Sequence, residues 1–481
     1  MTHATVLNIF LLAFCFFWAK FFNGQVAGAN TIPWLCLMVM EFSLLFPSIR
    51  GSNSLDNARQ QQLSAILHDP FCWIFIATLS YAGLQWINSG CQLEYHADNN
   101  SWNYSRTPLG YGPFSINSAD SKSLFFLIMT VATILLALRH GITRKSRILL
   151  MQLLAANGAI MVLYGFVYTA LVTLKFKENN GTNWFISNFG MGDYVGIYLA
   201  ALFFVAGGLI LHALNNPTKN KHFYWHLTVF LLTFTGAVFN IKNFSLAFFL
   251  FLSLPFVIYM LIYAWPRITL VARLKTFFLG FICISIAVAF VFYVFPDNHV
   301  RNNLMALDWN HFWRKVFSDL SIQRLTALNI WREYPWFGAG SMGYFHFHGM
   351  YIQPQQWGVI LGDASRTYSD FLKVLSEHGL IGLCLFYSIP IIMLITIIKL
   401  IYVNYKNPYG RWDSDRVLFL RLSPVALTML VALIYIFAHS LIDNPLTSTD
   451  ILILVTIIFT CIPAFLTEES KPRAAKSIVK N

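Results

Sequence analysis

Charged side chains are scarce in this chain: Asp, Glu, Lys and Arg make up 11% of its 481 residues, where a soluble domain carries about 25%. So little charge excludes a surface that faces water on every side. Metal-binding spacings are missing as well, with no His-Glu-x-x-His, no Cys-x-x-Cys pair and no acidic triplet in the polar stretches, which argues against a resident metal. A Walker loop is absent, so nothing points to ATP. No stretch alternates apolar and polar residues over the length of a membrane β-strand, which excludes an outer-membrane type of barrel. Of the seven cysteines, all but Cys91 lie in or beside apolar runs, so no disulfide framework is implied.

What fills the chain instead is apolar sequence, 57% of all residues, arranged in runs of the ~20 residues that a helix needs to cross a hydrocarbon core. The expected fold is all-α: a polytopic membrane protein with about twelve transmembrane helices. Their centres fall near Ala13, Met40, Ser80, Thr130, Ile160, Ala201, Thr233, Leu254, Ile286, Pro390, Val431 and Thr456. Lys and Arg collect in cytoplasmic loops, and with an inside N-terminus every expected inner loop is basic, from Arg50 and Arg59 through Arg139, Arg144 and Arg147 to Arg411, Arg416 and Arg421. Short outer loops carry far fewer, Lys242 alone in one of them. Both termini are therefore expected in the cytoplasm, and the net charge of +12 follows from topology, without nucleic acid as a partner. The first apolar run reads as a span, since Met1-Thr-His-Ala-Thr lacks the basic residues of a cleaved signal.

The expected organisation is residues 1–295 with spans one to nine, 296–376 as a large outer loop with interfacial helices, 377–466 with spans ten to twelve, and 467–481 as a cytoplasmic tail. Polar chemistry concentrates in the large loop. Within it, Asp308 to Tyr334 has helical periodicity, ended by Pro335-Trp-Phe-Gly-Ala-Gly340, and helix resumes from Tyr368. Cys91 to Asp120 reads as irregular outer structure.

At this point the sequence resembles the superfamily of O-antigen ligases and Wzy-type O-antigen polymerases, which includes bacterial oligosaccharyltransferases acting on pilins. The resemblance covers roughly Asn183 to Phe465 and is carried by Asp370-Phe-Leu-Lys-Val-Leu-Ser-Glu-His-Gly-Leu-Ile-Gly382, by Arg324 followed by Trp331, Pro335, Gly338 and Gly340, and by His439-Ser-Leu-Ile-Asp-Asn-Pro-Leu446. Asn188-Phe-Gly-Met-Gly-Asp193 and Asn240-Ile-Lys242 match further family positions more weakly. The chain departs from the family at Tyr368 and Ser369, where His and Asn are usual, and at Lys242, where Arg is usual.

The resemblance implies an inner-membrane glycosyltransferase, independent of metal and without a cofactor. It would transfer or polymerise glycan from an undecaprenyl-pyrophosphate donor on the periplasmic face of a bacterial inner membrane. Acceptors in such a family are a glycan, a lipid A-core or a pilin. A donor of this kind needs cations for its pyrophosphate, and guanidinium groups pair with phosphate oxygens bidentately; Arg324, Arg366, Arg301 and Lys242 are the candidates. The acceptor hydroxyl needs a proton acceptor within about 3 Å, for which Asp370 comes first and His348 second, with Tyr368 and Glu377 beside them. Each has a plainer reading. Arg324 could snorkel to water or lipid phosphate, Arg366 and Asp370 could pair to cap span ten, Lys242 could mark a helix end, His346 and His348 could be ordinary loop residues, and Glu377 with His378 could cap a helix entering the membrane. A lipid-glycan or small-anion transporter is the alternative from another class, with Glu41 as the clearest acidic residue inside a span.

Overall fold

The computed structural model describes residues 55–91, 93–96, 101–104, 109, 112–140, 144–173, 192–215, 223–240, 243–264, 320–352, 366–406 and 423–469. Among the described residues the protein is helical apart from one small hairpin. In chain order the elements are α1 (Leu55–Leu67), α2 (Pro70–Ile87), β1 (Leu93–His96), β2 (Ser101–Tyr104), α3 (Ser118–His140), α4 (Arg144–Thr173), α5 (Gly192–Asn215), α6 (Phe223–Asn240) and α7 (Asn243–Ala264). Then come α8 (Leu320–Glu333), α9 (Gly343–Tyr351), α10 (Asp370–Lys406), α11 (Pro424–His439), a 3₁₀ turn (Pro445–Thr447) and α12 (Thr449–Glu469).

Among the described residues, six helices are long and apolar enough to cross a membrane, namely α2, α3, α4, α5, α10 and α12, and shorter apolar stretches lie in α7 and α11. This is a multi-pass membrane protein. The expected spans around Ala13, Met40 and Ile286, Glu41, and the first half of the helix expected from Asp308 lie outside the described residues; the other nine centres each fall within one of these helices.

Helix α5 is the axis of the bundle: every residue of its apolar window is buried, and it packs against α4, α6, α7 and α11. Lipid is as apolar as leucine, so close packing rather than water exclusion must hold such helices together. Gly208 provides that closeness, since a Cβ there would lie 2.1 Å from Thr428 Oγ1 and 3.2 Å from Val425 Cα of α11. Phe203 of α5 stacks on Phe230 of α6 with ring centroids 4.4 Å apart, and meets Phe249 of α7 edge-on. On the outside, Trp73, Phe251 and Ile262 are more than half exposed, the surface a bilayer requires.

The N-terminal end of α2 and the C-terminal end of α3 are joined through Asp69. Its carboxylate accepts the Phe71 N–H at 3.2 Å, capping α2 ahead of Pro70. The other oxygen takes Arg139 Nε at 2.6 Å and lies 2.8 Å from His140 Nε2, both at the C-terminal turn of α3.

Two elements differ from the sequence-based expectation. The stretch read as irregular contains an antiparallel hairpin, with Leu93 opposite Tyr104 and His96 opposite Ser101. Its strands carry Tyr and Trp, which favour extended backbone. Helix α1 precedes the first described span and was not expected; it is built of good helix formers, Ala, Gln, Arg and Leu, without a long apolar run.

Candidate functional site

The three segments singled out in the sequence, Pro335 to Gly340, Thr367 to Gly382 and His439 to Leu446, meet in space. Helix α10 is two helical pieces joined at Gly379, whose φ of 63° and ψ of −166° are not helical. A break inside a span orphans carbonyls on one side and N–H groups on the other, each costing several kcal/mol in lipid. The Pro335 to Gly340 loop satisfies both sets. The N–H groups of Ala339 and Gly340 donate to the carbonyls of Ser376 and Glu377 at 2.9 and 2.8 Å, and those of Leu380 and Ile381 donate to Pro335 and Trp336 at 2.9 and 3.1 Å. The hydroxyl of Tyr81 on α2 lies 3.0 Å from Phe337 O and 2.8 Å from His378 O, and accepts from Gln85 Nε2 at 3.2 Å.

Just before α10 the chain is pinned to the segment between α11 and α12. Tyr368 takes a left-handed φ of 50°, so helix starts at Asp370 rather than at Tyr368. Thr367 pairs with the side-chain amide of Asn444, the Asp370 N–H donates to Ser440 O at 3.0 Å, and the Leu446 N–H donates to Asp370 Oδ2 at 3.0 Å. Arg324 of α8 clamps both strands of this junction through Nη2, which donates to Leu441 O at 2.9 Å and Tyr368 O at 3.3 Å. Burial lowers the Arg324 pKa from its ordinary value. Arg366 lies with its guanidinium 5.7 Å from the ring centroid of Tyr194 on α5.

Beside this junction a cleft of about 500 Å³ runs between α2, α3, α10 and α12. One end is polar, lined by Asp120, Ser341, Asp370, Lys373, Glu377 and His378. The remainder is mainly apolar, with Leu127 and Val131 of α3, Phe386 and Met393 of α10, and Leu452 and Phe459 of α12, interspersed with hydroxyls such as those of Thr78 and Thr456. Asp370, Lys373 and Glu377 share one face of the first α10 piece because they are spaced by three and four residues. Asp370 and Glu377 are buried, at 3% and 5% exposure.

The two carboxylates have different duties. The backbone N–H groups of Met342 and Tyr344, at the start of α9, lie near the Glu377 carboxylate. Its Oε1 is enclosed without a hydrogen-bond partner among the described residues. Asp370 is held by one oxygen to the Leu446 N–H at 3.0 Å. Of the sequence candidates, then, Asp370 and Glu377 line the cleft. His348 does not: its Nδ1 sits 2.5 Å from Phe345 O and its ring stacks on Tyr344. Tyr368, Arg324 and Arg366 belong to the adjoining junction, and Lys242 and Arg301 lie outside the described residues.

Sequence reading missed three residues. Lys373 is the cation on the cleft wall; its position between Asp370 and Glu377 on one helical face was the available signal. Asp120 reaches the cleft from α3 and lies 3.3 Å from His346 Nε2, so His346 is the loop histidine linked to the cleft. Tyr81 gave no signal, since one hydroxyl in an apolar run looks like any span residue. No group of three or more His, Cys, Asp or Glu side chains suited to a metal occurs among the described residues.

Fold and cleft define a multi-pass helical membrane protein with a polar pocket opening onto an apolar channel between spans. Compared with known protein families and with curated protein sequences, the chain matches none.

Proposed function

We propose that this protein is a glycosyltransferase of the bacterial inner membrane, of the O-antigen polymerase or ligase type, that takes its glycan from an undecaprenyl-pyrophosphate donor at the periplasmic face. The twelve-span topology, with cytoplasmic termini and residues 296–376 outside, is part of this reading. The observation that carries it is the division of the cleft: buried carboxylates and one lysine at one end, and an apolar channel between α3, α10 and α12 at the other. A lipid-linked donor is divided in the same way, into charged head and isoprenoid tail.

In this reading the acceptor hydroxyl attacks C1 of the donor sugar, its proton passes to Asp370, and the C1–oxygen bond to the pyrophosphate breaks, so that the lipid pyrophosphate leaves intact. Asp370 suits the task because the Leu446 N–H fixes its orientation at 3.0 Å. Glu377 braces α9. Arg324 and Arg366, bound next to the start of α10, stand as further cations for the leaving group.

A transporter of lipid-linked glycan or of a small anion is the second reading, favoured by the interrupted helix α10, since broken spans build the sites of many carriers. Reconstitution with donor and acceptor separates the two. The enzyme releases polyprenyl pyrophosphate and forms a longer glycan; a carrier moves the donor across the bilayer with every bond intact.

A further inference from the structure

The geometry points to Lys373 as the residue that recognises the phosphate of the cleft's ligand and so makes the cleft selective for a phosphorylated lipid over its neutral alcohol. This inference rests on the donor-site reading above and gives it a specificity determinant.

Several observations converge. Lys373 lines the polar end of the cleft, where it is the sole Lys or Arg among the described residues. It stands one helical turn from Asp370 on one side and from Glu377 on the other, on the same face of α10. Neither carboxylate forms an ion pair with it among the described residues. Asp370 is bound to the Leu446 N–H, and the amides that open α9 lie near Glu377. The lysine thus shares a helical face with the two carboxylates without an ion pair to either among the described residues. A cation at the head of an apolar channel attracts an anion arriving from the bilayer.

The ligand class follows from what surrounds it. Below Lys373 the walls are Phe386, Met393, Val131 and Phe459, which suit a long apolar chain rather than a free ion. The shared chemistry is a phosphate or diphosphate ester of such a chain, and it has two sources: an isoprenoid pyrophosphate, or an ordinary bilayer phospholipid. Lysine, a compact point charge with three rotatable donors, accepts either.

Binding of undecaprenyl pyrophosphate, undecaprenol and dioleoyl phosphatidic acid to the purified full chain in detergent, followed by native mass spectrometry, tests the assignment. Wild type should prefer the pyrophosphate over the alcohol by at least about ten-fold, roughly 1.4 kcal/mol. Lys373→Ala should reduce that preference to within about two-fold while leaving undecaprenol binding unchanged, which shows that the cleft is still folded. Lys373→Arg should keep the preference. If Lys373→Ala discriminates as wild type does, the assignment is overturned and the donor site stands without it. If phosphatidic acid binds wild type as tightly as the pyrophosphate and weakens equally in Lys373→Ala, the lysine is upheld as a phosphate anchor and the glycosyltransferase reading loses its donor. A wild type that shows no preference for phosphate removes both.

Discussion

Gly338 and Gly379 lie against each other across the break in α10: both have positive φ, 69° and 63°, and a Cβ added to Gly379 would stand 2.6 Å from the Gly338 nitrogen. That contact is backbone on backbone, with no flexible side chain to give way. The loop that fills the break therefore depends on both positions lacking a side chain, and the cleft wall formed by the first α10 piece depends on the loop.

Alanine at either position should cost about 2 kcal/mol or more, the left-handed backbone and the overlap adding together. Thermal unfolding in detergent should show a melting point several degrees lower for Gly379→Ala and for Gly338→Ala. Wild-type melting of both would mean that the interlock does not hold the break.

Tyr81→Phe removes the hydroxyl that faces the carbonyls of Phe337 and His378 and takes the Gln85 amide. Leaving such groups buried and unpaired costs about 1–3 kcal/mol. The same melting assay should register that loss, whereas Tyr224→Phe, on the exposed face of α6, should melt with wild type.

Asp370 and Glu377 should separate in activity. Asp370→Asn keeps an oxygen for the Leu446 N–H but has no place for a proton, so transfer should fall by about 10²–10⁴-fold with donor binding retained. Glu377→Gln keeps the size and polarity of the side chain beside the Met342 and Tyr344 amides and should keep most activity. A reversed pattern would move the proton acceptor to Glu377.

For Arg324 the expectation is joint loss. Its two carbonyl bonds tie α8 to the starts and ends of neighbouring helices, and each bond to a charged donor contributes about 1.5–3 kcal/mol when buried, less at this half-exposed site. Arg324→Ala should abolish product and lower stability while the protein still reaches the membrane. Near-normal glycan synthesis would remove Arg324 from the site.

The spans were legible because the bilayer imposes a length and an apolar composition that local sequence must meet by itself. The segments around Arg324, Asp370 and His439 were legible as polar, Gly-rich interruptions of that pattern. Their partners were not. Whether Lys373 faces lipid, water or a cleft depends on α3 and α12, which are distant in sequence, and the carbonyls that occupy Arg324 come from Tyr368 and Leu441, 44 and 117 residues downstream. The break in α10 was hidden for a similar reason, since Gly379 at the head of an apolar run reads as a tolerated glycine until Pro335 to Gly340 is seen to fill the gap.

The most direct measurement is mass-spectrometric analysis of purified wild-type protein and Asp370→Asn, each incubated with a glycan-charged undecaprenyl pyrophosphate and an acceptor glycan. Wild type should yield free undecaprenyl pyrophosphate and extended glycan in equal amounts, and Asp370→Asn should bind the donor and release neither. Intact donor recovered from wild type on the opposite leaflet of a vesicle, with no sugar–phosphate bond cleaved, would contradict the account.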